Sequence, residues 1–247
     1  PYDIWYDGFK ARNSYPEDKL TAKTSALYPN PDAFKADMPE MLKKLGWSSD
    51  RAKYLADKIV VDPARGSGHA WGAGMRGAKS HLRTRISEKG MDYKGYNIAV
   101  HEFGHNVEQT ISLYDVDYYT MSGVPNTAVT EALAFVFQHR DLFLLGIKEN
   151  DPEAEKVEIL DAAWSLMEIM GVGMTEMLVW KWLYENPGAT AAQLKEKTID
   201  IAAETWNKYY APVFGVQDSP VLAIYSHTID VPLYLPNYSY GHIVQFQ

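Results

Sequence analysis

His101-Glu102-Phe103-Gly104-His105 is the stretch on which the reading of this chain turns. On a helix, residues four apart lie one turn apart on one face, so both imidazoles can meet a single metal ion. Glu102 is rotated off that line, within reach of a water activated by the metal and not of the metal itself. Ile98, Val107 and Ile111 recur near helical spacing and can anchor such a helix in a core. Gly104 weakens a helix interior by about 1 kcal/mol relative to alanine; it makes sense where another element must approach the backbone closely. The bland alternative is a buried helix whose histidines are satisfied by hydrogen bonds, and two histidines flanking a glutamate count against it.

A third ligand is expected from the segment Thr127-Ala128-Val129-Thr130-Glu131-Ala132-Leu133-Ala134-Phe135-Val136-Phe137. It reads as a strongly apolar helix opened by a threonine cap and ended near Gly146. Glu131 is the only charge in its first three turns. A carboxylate in so apolar a setting is costly unless it is paired or bound to a metal. The competing explanation is a glutamate stabilised by the dipole of its own helix. Glu131 follows His105 by 26 residues, room for a helix end, a loop and a second helix packing back. His101, His105 and Glu131 together leave zinc one open position, the mark of a catalytic site, and imply one Zn2+ per chain.

The pattern elsewhere predicts a mainly α protein with a small antiparallel sheet beside the metal-binding helices. Asn30-Pro31-Asp32 opens a helix carrying Phe34, Met38, Met41 and Leu42 and ending at Gly46. Ser48-Ser49-Asp50 caps another, through Ala52, Leu55 and Ile59. Leu82, Thr84 and Ile86 then alternate with Arg83 and Arg85, as in a half-buried strand. Pro152 to Met170 and Met174 to Glu185 read as a helical pair around Gly171 and Gly173, and Ala189 to Tyr210 as a further amphipathic helix. Pro232 and Pro236 punctuate an aromatic stretch opening the final helix.

With 247 residues and 46% hydrophobic content, the chain suits one sizeable core and a single domain over 1–247. Its net charge of −8, with both signs interspersed, argues against nucleic acid or an anionic membrane surface as partner. Absence of cysteine excludes disulfides and thiolate metal sites. No run of 18 apolar residues occurs, so no membrane span is expected. Seventeen tyrosines suit a cleft that grips peptides through rings and hydroxyls.

HEFGH followed at this interval by a glutamate on an apolar helix resembles the thimet oligopeptidase and oligoendopeptidase F family of zinc peptidases. Pro1-Tyr2-Asp3-Ile4-Trp5-Tyr6 resembles the segment entering that family's catalytic half, and Gly66-Ser67-Gly68-His69-Ala70-Trp71-Gly72-Ala73 its glycine-rich stretch before the zinc helix. His227, Tyr234 and Tyr238-Ser239-Tyr240-Gly241 resemble its late His and Tyr-x-Tyr cluster. Leu133-Ala134 departs from the family's Pro-Ser pair.

The resemblance implies a zincin-like catalytic domain hydrolysing internal bonds of oligopeptides, with zinc on His101, His105 and Glu131 and Glu102 as general base. It implies His227 with Tyr240 or Tyr238 as donors to the transition-state oxyanion. Substrate would be bound by His69, Gly72 and Tyr234, its backbone adding to the edge of the sheet. It also implies that this chain is part of a longer one, whose helical N-terminal half packs against this domain. Without that half, an exposed apolar face and slower cleavage are expected. Carboxypeptidase or dipeptidyl carboxypeptidase action on the same scaffold stays open, with Arg76, Arg83 or Arg140 as carboxylate clamp, as does a non-catalytic peptide-binding relative.

Overall fold

The caps expected from sequence punctuate the first helices of the computed structural model, which describes residues 15–66, 68–121, 126–147, 153–225 and 227–246. Pro1–Tyr6 and Ser67, part of the resemblance above, lie outside the described residues. Helix α1 (Glu17–Leu27) precedes α2 (Pro31–Lys44), whose N-cap Asn30 accepts from the Ala33 N–H at 2.9 Å. The Ser48 hydroxyl accepts from the Arg51 N–H at 3.3 Å to open α3 (Ser49–Asp57). Gly46, at φ +100°, takes the left-handed turn between α2 and α3 that a side chain would resist.

The helix read through Ile59 instead stops at Asp57, and a strand follows. β1 (Ile59–Ala64), β2 (His69–Trp71) and β3 (Ser80–Arg85) form a three-stranded sheet in the order β1-β3-β2. The antiparallel expectation is corrected here. β2 runs antiparallel to β3, with Ala70 opposite Leu82, but β1 runs parallel to β3, with Val61 opposite Leu82. Ile59 fits both the α3 period and a strand, so its spacing does not mark where the helix ends. Pro63 is tolerated because β1 lies at an edge of this sheet, where one row of N–H groups has no ladder partner to lose. The expected alternation on β3 is present, with Ser80, Leu82 and Thr84 buried.

The chain's contacts gather into two compact units, Arg12–Ala154 and, among the described residues, the segment from Glu155 onward. In the first, α4 (Tyr93–Asp115) packs against β3, α1 and β2 on one side and against α5 (Thr127–Gln138) on another; the short α6 (Asp141–Leu144) follows. Phe34, Met38, Met41, Leu55, Leu82, Tyr96 and Phe103 are fully buried in its core. Each such large side chain contributes roughly 1.5–3 kcal/mol by leaving water.

The second unit holds α7 (Ala154–Glu185), α8 (Ala191–Tyr209), α9 (Ala211–Phe214), α10 (His227–Asp230) and α11 (Pro236–Phe246). Thr190 and Gln193 close a reciprocal capping box on α8. The pair of helices expected around Gly171 and Gly173 is one uninterrupted helix, α7. These glycines are sites of close approach and not breaks: a Cβ on Gly171 would stand 2.2 Å from the Tyr210 hydroxyl, and one on Gly173 would stand 3.1 Å from the Pro236 Cα. None of the described helices is long and apolar enough to cross a membrane.

Candidate metal centre

Helix α4 starts where the Asp92 carboxylate accepts from the Gly95 N–H at 2.7 Å, and runs six turns with Tyr96, Val100, Phe103 and Val107 in the core. His101 and His105 then face α5 together. Gly104 lets α5 in: a Cβ there would lie 2.8 Å from the Ala134 Cα and 3.2 Å from the Phe137 ring. This is the close approach expected of that glycine. Helix α5 is capped by Asn126, whose side chain accepts from the Ala128 N–H, and not by the threonine that follows it. The close crossing brings Glu131, only 1% exposed, against both imidazoles.

The His101 and His105 Nε2 atoms are 3.2 Å apart, and each lies 3.5 Å from Glu131 Oε2. Four ligands on a tetrahedron with bonds of ~2.0–2.1 Å have neighbouring donor atoms ~3.3 Å apart. The triangle therefore has the edge lengths of one face of such a coordination shell. The donors are of the types zinc takes, and no other group of His, Asp or Glu among the described residues meets the same geometric condition. The residues fit a divalent cation.

Electrostatics at the site follow from burial. Burial alone would raise the Glu131 carboxyl, but the adjoining His101 and His105 imidazoles outweigh it and hold the group well below the usual range. Burial works to lower His105, yet Glu131, Glu102 and Glu108 together raise it. Burial raises Glu102, against the opposing influence of His101, His105 and His69.

β2 runs along α4 at this level. A Cβ on Gly68 would fall 2.2 Å from Ile98 Cγ2 and 3.2 Å from Glu102 Cγ, and one on Gly72 would touch the Gln109 side chain at 3.4 Å. His69 stacks on Trp71 with ring centroids 5.9 Å apart, and the Arg83 guanidinium lies 5.3 Å over the Trp71 ring. His69 and Gly72 thus border the helix that carries Glu102.

In the C-terminal unit His227 sits 5.6 Å from the Tyr234 ring, and Tyr234 5.5 Å from Tyr238, in ring-centroid distance. Tyr240 stands apart from this group, 63% exposed. The turn bearing Tyr234 is held by buried Glu176, whose carboxylate accepts the Tyr234 and Leu235 N–H groups at 3.1 and 2.8 Å. The oxyanion role for His227, Tyr238 and Tyr240 remains what the resemblance implies.

Of the arginines weighed as carboxylate clamps, Arg76 is committed to the Leu113 and Tyr114 carbonyls at the end of α4. Arg140 borders a cavity with Leu45, Trp47, Leu133, Val136 and Phe137.

Sequence reasoning missed the polar groups behind the histidines. His101 Nδ1 lies 3.1 Å from Gln138 Oε1. Gln138 Nε2 donates to Asn97 Oδ1 at 2.7 Å, and Asn97 Nδ2 donates to Asp141 Oδ2 at 2.7 Å. The signal was available: Asn97 is one turn before His101, and Gln138 is two turns after Glu131 on an otherwise apolar helix. No family model, curated protein or solved structure matches this chain.

Proposed function

We propose that this chain is a zincin-like zinc peptidase that hydrolyses internal bonds of oligopeptides, in the manner of the thimet oligopeptidase and oligoendopeptidase F family that it resembles. The observation that carries the reading is the triangle of His101 Nε2, His105 Nε2 and Glu131 Oε2, with Glu102 one residue along the same helix. Those three residues would hold the ion, which when bound supplies Lewis acidity toward a carbonyl and toward water. Glu102, beside the two histidines on the same helix, would accept the proton of the attacking water and deliver it to the leaving amine. The β2 edge, with His69 and Gly72, orients an extended substrate by strand addition.

Glu102→Gln separates this reading from its rivals. The wild-type chain should bind about one zinc ion and cleave a fluorogenic oligopeptide only when loaded. The variant should bind zinc equally and lose turnover by about 10²–10⁴-fold, the range of general acid–base contributions. Wild-type rates from the variant, or a wild-type chain that takes up no metal, would overturn the proposal.

A further inference from the structure

We infer that Asp141, which touches neither histidine of the candidate centre, sets the tautomer of His101 through Asn97 and Gln138. As a statement about function it rests on the metal-centre reading; as a statement about protons it stands on the hydrogen-bond geometry of the metal-free chain.

The direction of the chain is dictated from its buried end. Asp141 Oδ1 accepts the Leu142 N–H at 2.6 Å, and Oδ2 accepts the Tyr93 hydroxyl at 2.6 Å. A carboxylate oxygen facing Asn97 at 2.7 Å can only accept, so Asn97 must present its amide Nδ2 there. That turns Asn97 Oδ1 toward Gln138, which must answer with Nε2 at 2.7 Å. Gln138 Oε1 is then left facing His101, and an oxygen acceptor 3.1 Å from Nδ1 requires the proton on Nδ1. The His101 Nε2 lone pair is thereby aimed at His105 Nε2 and Glu131, where a cation would sit. Each amide is forced in turn, and the only group in the chain with no choice of direction is Asp141.

The fold reinforces the path. Asn97 and His101 are one turn apart on α4, Gln138 ends α5, and Asp141 opens α6, so three elements converge on it. Tyr96 ties the same corner by donating to the Asp141 carbonyl at 3.1 Å. The relay is thus rigid at both ends. Partners behind a ligating histidine typically change metal affinity 10–100-fold when removed.

An isosteric change at the far end makes the inference testable. In Asp141→Asn the Leu142 N–H pins the remaining oxygen, so the new amide nitrogen takes the place of Oδ2. Asn97 and Gln138 then both invert, and His101 faces a donor at Nδ1. The expected result, from long-range 15N–1H correlation spectra of metal-free protein, is an Nδ1–H tautomer in the wild type and an Nε2–H tautomer in Asp141→Asn. Zinc affinity, read by competition with a chromophoric chelator, should fall about 10–100-fold in Asp141→Asn and in Gln138→Leu. Circular dichroism and the Tm of each metal-free variant identify any that fails to fold, and the tautomer of the wild type then decides alone. An Nε2–H tautomer in the wild type, or an unchanged tautomer in folded Asp141→Asn, would overturn the inference. Failure of the wild type to bind zinc would instead overturn the metal-centre reading and leave the tautomer result intact.

Discussion

Gly104 and Ala134 are in backbone contact: a β-carbon on the first would stand 2.8 Å from the Cα of the second. Gly104→Ala adds helix propensity of about 1 kcal/mol but forces α4 and α5 apart, an overpacking cost of about 1–3 kcal/mol. The net stability change should be small, whereas zinc affinity should drop at least tenfold because Glu131 retreats from the histidines. Thermal melts beside chelator competition check it; unchanged affinity would mean that the helices do not set the ligand triangle.

Gly68 leaves room for Glu102 in a similar way: a β-carbon there would stand 3.2 Å from Glu102 Cγ and 2.2 Å from Ile98 Cγ2. Gly68→Ala should leave zinc binding near wild type and slow peptide cleavage, because a shift of ~1 Å in a reacting group can cost on the order of a hundredfold. Measuring kcat with metal content held constant would expose a wild-type rate, the outcome that removes Gly68 from the site.

Glu131→Gln removes the charge that the two imidazoles surround. An amide keeps the size of the carboxylate and an acceptor oxygen, so the metal-free Tm should move little. Zinc affinity should fall by more than tenfold. A variant that bound zinc like the wild type would disqualify Glu131 as the third ligand.

Tyr210 gives the C-terminal unit a pH signature. Burial pushes its hydroxyl up to about 12, and it donates to the Met167 carbonyl at 2.5 Å. An unfolded tyrosine ionises near ~10, so the unfolded chain loses its proton first as pH rises. The Tyr210 contribution should be whole below that value and be lost progressively between the two. Denaturant titrations of wild type and Tyr210→Phe should diverge across this window, and parallel pH dependence would show that Tyr210 is not the group responsible.

Local chemistry was readable from the residues alone, and non-local chemistry was not. Asn30 and Ser48 announce helix starts because a cap acts within three residues. Glu131 stood out because an isolated charge among apolar neighbours demands a partner. The parallel pairing of β1 with β3 carries no such mark, since the alternation of a strand does not say what lies beside it. Gly171 and Gly173 looked like a break because their partners, Tyr210 and Pro236, are distant in the chain. The spacing of Asn97 from His101 and of Gln138 from Glu131 marks those two as candidates, but their link to Asp141 runs across three helices and leaves no trace in the periodicity of any one of them.

The three ligand atoms lie within 31 consecutive residues, from His101 to Glu131, on two helices that follow one another in sequence. Closing such a loop costs only about 0.6 kcal/mol more than closing one of half its length, and contacts near in sequence form early in folding. We expect that a cation bound by this hairpin would bridge the chain early, ahead of the sheet and the first three helices. Zinc should accelerate refolding as well as retard unfolding, and stopped-flow traces with and without the ion would separate the two limbs. The chelate then acts on the order in which the chain assembles, as a nucleus as well as a site.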